Sequence, residues 1–241
     1  MKIELNVGGN LVRGALENEN SDKLLILVHG FAGNMNGPQN IFVNLSKKLQ
    51  EKNYSVLRFN FRGFSPSEMD SRDMTILTAS DDLISVIKFA KSKNYKKIGI
   101  LGESMGGLVC LNCFNQDVNL MIFWYSEFDC KHTYDSLFTK GKIKELKEKG
   151  FVNYSDFNVG KKFLQNIKKI NLYNKLPNVN CPVLFLHGDK DEDVPYKQTL
   201  KAFKLSNKPK EMHILKNAEH GFEDEQDQAI NLTVNFLEKY F

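Results

Sequence analysis

The apolar run Ile98-Gly99-Ile100-Leu101 passes directly into Gly102-Glu103-Ser104-Met105-Gly106-Gly107, and the helix-compatible stretch Leu108 to Phe114 follows at once. A chain that goes from strand to helix through so few residues must turn sharply, which puts Ser104 at the apex in a strained backbone conformation. Small residues two positions to either side avoid a clash, and Gly102 and Gly106 meet that need. A Gly-x-Ser-x-Gly string says little alone, because both residue types are common. The strand in front and the helix behind give it meaning.

Further apolar runs that read as strands lie at Leu24 to Val28, Ser55 to Phe59, Lys97 to Leu101, Leu120 to Trp124, Val183 to Leu186 and Glu211 to Leu215. Helical patterns separate most of them. Ile41 to Lys52 places Phe42, Leu45 and Leu49 on one face, and Ala79 to Lys91 does the same with Leu83, Val86, Ile87 and Ala90. Strand alternating with helix predicts an α/β protein with a mainly parallel central sheet covered on both faces. Lys2 to Val7 and Leu11 to Leu16, joined by Gly8-Gly9-Asn10, predict an edge hairpin, and the last helix is expected over Gln226 to Tyr240.

One interval breaks the rhythm. About 55 residues separate the strand ending near Tyr125 from the one starting near Val183, more than a compact domain carries as structureless loop. Helices are expected at Lys142 to Lys149 and near Lys161 to Ile170, with a turn at Gly150 between them. Residues 126 to 180 therefore read as an inserted cap within one α/β domain spanning 1 to 241, placed where the carboxyl ends of the strands would put it over Ser104.

The net charge of +4 is concentrated there: the interval holds eleven lysines against six acidic residues, a surplus of five, which leaves the rest of the chain at minus one. Without a denser basic stripe or a recognisable module, nucleic acid is not an expected partner. No segment approaches the roughly 18 uninterrupted apolar residues of a membrane span, and Met1-Lys2-Ile3-Glu4-Leu5 does not open a signal peptide, so a cytoplasmic protein without membrane contact is expected. Cys110, Cys113, Cys130 and Cys181 fit that compartment as buried free thiols. Cys110 and Cys113 have neither a second pair nor a His-x-x-x-His beside them, so no metal or cofactor is expected. A homodimer is compatible with the sequence.

A serine hydroxyl is a poor nucleophile unless a base lies within hydrogen-bond reach, itself oriented by an acid. His213 falls inside a strand, His187 ends one, and His132 sits in the insertion, all read as structural; His29 lies just past Val28. His220, in the loop Asn217-Ala218-Glu219-His220-Gly221-Phe222 between the last strand and the last helix, is the candidate base. The acid is expected on the loop His187 to Pro195, where Asp189, Asp191, Glu192 and Asp193 all qualify by spacing. Two backbone N–H groups should face the developing oxyanion: that of Met105, at the helix start, and that of Phe31, on the loop after Leu24 to Val28.

On His29-Gly30-Phe31, Arg62-Gly63, Gly102 to Gly107, His187-Gly188-Asp189-Lys190-Asp191-Glu192-Asp193-Val194-Pro195 and His220-Gly221-Phe222, the sequence resembles the α/β-hydrolase superfamily along essentially its whole length. It is similar more narrowly to compact bacterial carboxylesterases, including the cinnamoyl and feruloyl esterases. The resemblance implies an α/β-hydrolase fold with a cap and selects Asp191 as the acid. It implies a serine carboxylesterase acting on small-molecule short-chain acyl or hydroxycinnamoyl esters. A peptidase, amidase or thioesterase would use the same triad, and a noncatalytic binding protein on this fold is the alternative of another class. The departure is near Ser65, in Arg62-Gly63-Phe64-Ser65-Pro66-Ser67, where relatives commonly keep a second glycine.

Overall fold

The strands of the computed structural model, which describes residues 1–64, 67–154 and 157–241, are β1 (Lys2–Val7), β2 (Asn10–Glu17), β3 (Lys23–Val28), β4 (Ser55–Asn60), β5 (Lys97–Glu103), β6 (Leu120–Trp124), β7 (Phe151–Tyr154), β8 (Phe157–Gly160), β9 (Val183–Gly188) and β10 (Lys210–Leu215). Eight form one sheet in the order β1-β2-β4-β3-β5-β6-β9-β10, while β7 and β8 make a separate hairpin. The first hairpin and the β2–β4 pairing are antiparallel, and every neighbour from β4 onward is parallel. This is the mainly parallel α/β architecture that the alternation of strand and helix predicts, and it agrees with the α/β-hydrolase fold that the resemblance implies. The departure near Ser65 lies at the edge of the pair Ser65 and Pro66, outside the described residues.

The helices are α1 (Ile41–Glu51), α2 (Ile76–Ser92), α3 (Met105–Cys113), α4 (Lys131–Leu137), α5 (Lys140–Lys149), α6 (Lys161–Ile167), α7 (Lys197–Leu205) and α8 (Gln226–Tyr240). In β3 the period of two sorts the core. Leu24, Ile26 and Val28 face the layer holding α2 and α3, whereas Leu25 and Leu27 face α1 and α8. Both faces are covered, so the strand is apolar almost throughout. α3 carries no polar stripe because eight of its nine residues are buried.

From β3 the chain crosses one way to β4, and it then returns to the other side of β3 as β5. The loops leaving the carboxyl ends of β3 and β5 therefore part between neighbouring strands, which is where an open α/β sheet forms a ligand crevice. Gly30 and Phe31 stand on one loop and Ser104 on the other.

The interval between β6 and β9 is more structured than its periodicity suggests. It holds α4 and the β7–β8 hairpin besides the two expected helices, and the second of these ends at Ile167 instead of Ile170. Each hairpin strand has only four residues, too short for alternation to show, yet Val152 and Val159 pair across it and are both buried. Gly160 fixes the hairpin against the body: a Cβ there would stand 2.0 Å from Arg72 O. At the start of the interval, the N–H groups of Phe128 and Asp129 both donate to Gln198 Oε1 of α7 at 2.9 Å.

Candidate active site

Ser104 adopts φ 49° and ψ −124° between β5 and α3, a conformation few non-glycine residues hold unless the surroundings impose it. The neighbouring glycines impose it. A Cβ on Gly102 would lie 2.5 Å from Gly107 N, and one on Gly106 would lie 2.2 Å from Val28 O, so the turn closes only with hydrogen at both positions. The Ser104 N–H is tied to Trp124 O at 3.0 Å. The hydroxyl thus stands at a fixed place above the sheet.

Two loops from the other end of the chain meet it. His220, on the loop after β10, places Nε2 3.1 Å from Ser104 Oγ, and its Nδ1–H donates to Asp191 Oδ2 at 2.8 Å. Asp191 follows β9. Its other oxygen accepts the N–H groups of Asp193 at 3.0 Å and Val194 at 2.8 Å. Of the four acidic residues open by spacing, Asp191 is the one bonded to His220, whereas Asp189 accepts the Asn217 N–H at 2.6 Å and ties two loops together. Burial pushes the Asp191 carboxyl up, but hydrogen bonds from His187 and His220 outweigh it and hold it below the usual carboxylate range. Burial also disfavours a charged His220, yet Asp191, Asp193 and Glu103 together raise its pKa above the ordinary value.

Two further side chains support the triad: His187, which the sequence reading takes as structural, and Glu103, to which it gives no role. His187 is fully buried, with Nε2 3.0 Å from Asp191 Oδ2 and 2.9 Å from Val194 O. Two acceptors require the proton on that nitrogen, and Nδ1 meets the Thr199 hydroxyl at 2.8 Å. Glu103, the residue before the serine, is buried beneath it. Its carboxylate accepts the Gly30 N–H at 3.0 Å and the Tyr125 hydroxyl, and burial pushes its pKa up. Glu103 therefore joins the serine turn to the loop that carries Phe31, while Tyr125 packs its ring edge-on to His220 at 4.7 Å. Both lie inside segments that carry the resemblance, but nothing in their spacing marks them as supports of the triad.

His29 is structural. It accepts the Phe61 N–H on Nε2 at 3.1 Å and donates from Nδ1 to Gly30 O at 2.8 Å, and burial lowers its pKa to about 4. His213 lies on β10, and His132 lies on α4, near enough to Glu127 to favour its charged form. The four cysteines are free and buried. Among the described residues, no group of three or more His, Cys, Asp or Glu side chains converges as a metal site, and no helix is long and apolar enough to cross a membrane.

A cavity of about 240 Å³ opens over Ser104 and His220. Phe31, Met105, Leu137, Phe163, Ile167 and Val194 form its apolar wall, and Glu127, Thr133, Ser136 and Asp193 add polar groups. Phe31 and Met105 both line this cavity, and neither backbone N–H donates to a backbone acceptor in the turns and loops among the described residues.

The sequence pattern of the prolyl oligopeptidase family matches residues 77–241, and that of the alpha/beta hydrolase fold matches residues 23–120. The chain belongs to the prolyl oligopeptidase family, within the α/β hydrolases. Among curated relatives, it is 24% identical over 229 residues to the uncharacterized protein YfhR of Escherichia coli O157:H7, covering 91% of this chain and 72% of that one. It is 26% identical over 195 residues to the human serine hydrolase BPHL, covering 72% of this chain and 65% of that one. The solved structure of Est1E from Butyrivibrio proteoclasticus with ferulic acid bound superposes with a TM-score of 0.87 at 19% identity, covering 99% of this chain and 98% of that one.

For this prolyl oligopeptidase-family chain, one expectation about the insertion needs correcting. A cap with that lysine surplus and eight aromatic residues is one that could stack a flat acyl group and would not repel a carboxylate. None of the insertion's eleven lysines lines the cavity, and the carboxylates of Glu127 and Asp193 do. Nine of these lysines are exposed, and the half-buried Lys142 and Lys175 bond to Asn153 O and Asn112 instead. Of the insertion's aromatic residues, only Phe163 lines the cavity; it stacks on Phe31 at 5.1 Å, while Tyr154 and Phe157 pack behind against Phe31.

Proposed function

We propose that the protein is a serine carboxylesterase for small acyl groups, short aliphatic or hydroxycinnamoyl, with Ser104 as nucleophile, His220 as general base and Asp191 as the acid that orients it. The observation that carries this reading is the line of two hydrogen bonds by which His220 joins Ser104 Oγ to Asp191 Oδ2. As Ser104 Oγ attacks the ester carbonyl, His220 Nε2 takes its proton and Asp191 stabilises the imidazolium. The N–H groups of Phe31 and Met105 receive the oxyanion, the second aided by the positive end of α3. The imidazolium then protonates the leaving alcohol. Water, deprotonated by His220, hydrolyses the acyl enzyme.

The small cavity favours short acyl groups, and its Phe31 and Phe163 rings suit a flat one. The likeness to Est1E with ferulic acid bound supports the hydroxycinnamoyl arm. A second reading, amide or peptide hydrolysis, draws on the family match, because the same triad serves both bonds. Residues 126 to 180 act as the cap over this site. The test is a fluorophosphonate probe followed by a panel of matched esters, thioesters and peptide anilides. Labelling confined to Ser104 with ester turnover dominant is the expected result; anilide turnover exceeding ester turnover would transfer the assignment to the peptidase reading.

A further inference from the structure

Glu127 stands just past β6, and its backbone N–H donates to Ser104 O at 3.4 Å, so the residue is fixed relative to the serine turn. It is 3% exposed, yet it lines the cavity beside Thr133, whose hydroxyl donates to Oε1. The clamp of Gln198 on the next two residues keeps this short segment from yielding.

A carboxyl so deeply buried normally has a cation beside it. Among the described residues, no lysine or arginine forms an ion pair with Glu127. Burial pushes its pKa up to about 6, because the Thr133 hydroxyl, the Cys130 thiol and the more distant His132 offset the desolvation only in part and Asp129 adds to it. Above that pH it is an anion facing a cavity whose other charged wall, Asp193, is also acidic. The missing partner is one that a substrate can supply.

We propose that Glu127 receives a protonated amine carried on the acyl group, so that the preferred substrates are esters of small amino acids. This rests on the esterase reading above and narrows it. With the carbonyl at Ser104, an ammonium group reaching Glu127 replaces cavity water and supplies the buried carboxylate with the cation it lacks. A plain aliphatic acyl group of the same length leaves that carboxylate unpaired, and a carboxylate-bearing acyl group meets repulsion.

The test compares ethyl 3-aminopropanoate with ethyl propanoate, and ethyl 4-aminobutanoate with ethyl butanoate, near pH 7.5, in the unaltered protein, Glu127→Gln and Glu127→Asp. Within each pair, the ratio of kcat/KM for the amine-bearing ester to that for the plain ester cancels any general loss of activity. We expect the ratio to fall about tenfold or more in Glu127→Gln in at least one pair, and less in Glu127→Asp, which keeps the charge. Ratios that stay within about threefold in Glu127→Gln, or an equal fall in both variants, overturn the proposal. A second arm needs neither a variant nor ester turnover: propylammonium should slow fluorophosphonate labelling of the unaltered protein at lower concentration than 1-propanol does. Equal protection by the two overturns the proposal. If no ester is hydrolysed but propylammonium protects selectively, the esterase reading fails and the amine site stands.

Discussion

His187, whose Nε2–H donates to Val194 O at 2.9 Å, sets that nitrogen 3.0 Å from Asp191 Oδ2, and the same oxygen accepts Nδ1–H of His220 at 2.8 Å. One carboxylate oxygen is thus held between two imidazoles, while the other is held by two backbone N–H groups. A carboxylate gripped from four directions cannot rotate away from His220. His187 thereby acts as a positioning residue without touching the reacting atoms. His187→Gln should lower kcat by about tenfold, the equivalent of one pKa unit on the pair, while KM holds. An unchanged kcat in steady-state assays of the folded variant would make the contact incidental.

Ser104→Ala and His220→Ala should each lower kcat by roughly 10⁴-fold or more, and the double variant should be little worse than either, because nucleophile and base act as a unit. Circular dichroism should remain that of the unaltered protein. Turnover near the unaltered level in either variant would remove the mechanism.

Asp191→Asn and Asp189→Asn separate a catalytic carboxylate from a structural one two residues away. The first loses the charge that orients His220 and should cost about 10³- to 10⁴-fold in kcat. The second weakens only the bond to the Asn217 N–H and should cost far less. The reverse order in a kcat comparison would move the acid to Asp189.

Much of this arrangement is legible in the sequence because the decisive residues sit where elements end. Ser104 lies between an apolar run and a helix, and His220 lies in the one loop between the last strand and the last helix. Spacing left Asp191 as one of four, and only the resemblance singled it out, since a loop places its side chains by backbone turns that spacing does not encode. The insertion was the least legible part. Its composition counts lysines and aromatic rings but does not say which of them turn inward, and the inward group proved to be Glu127. The β7–β8 hairpin escaped notice because each four-residue strand offers two inward positions, too few to establish a period.

The pH dependence follows from the charges around His220. Burial disfavours the imidazolium, but Asp191, Asp193 and Glu103 outweigh it, so the pKa lies above the ordinary 6.5. The base must be unprotonated in the free enzyme, so kcat/KM should fall as the pH drops through that raised value, with half-maximal activity above 6.5. Asp193→Asn removes one of these charges and should move the acid limb toward lower pH. A limb that stays in place when kcat/KM is measured across the range would show that Asp193, exposed at the rim, is screened by solvent.

The cap should set acyl length through Ile167, which is 3% exposed and lines the same cavity as Ser104. Residues 163 and 167 lie one helical turn apart on α6, so the same face of that helix presents both side chains to the substrate. Phe163 is also stacked on Phe31, and its truncation would risk the loop that carries the proposed oxyanion donor. Ile167 offers the cleaner test. Ile167→Ala opens room for further methylenes, each worth about 1 kcal/mol or more where a pocket can receive it. The ratio of kcat/KM for an octanoate ester to that for a butyrate ester should therefore rise at least threefold, about 0.7 kcal/mol. A ratio unmoved in Ile167→Ala, with turnover of both esters retained, would mean that α6 closes the cavity without measuring the acyl chain.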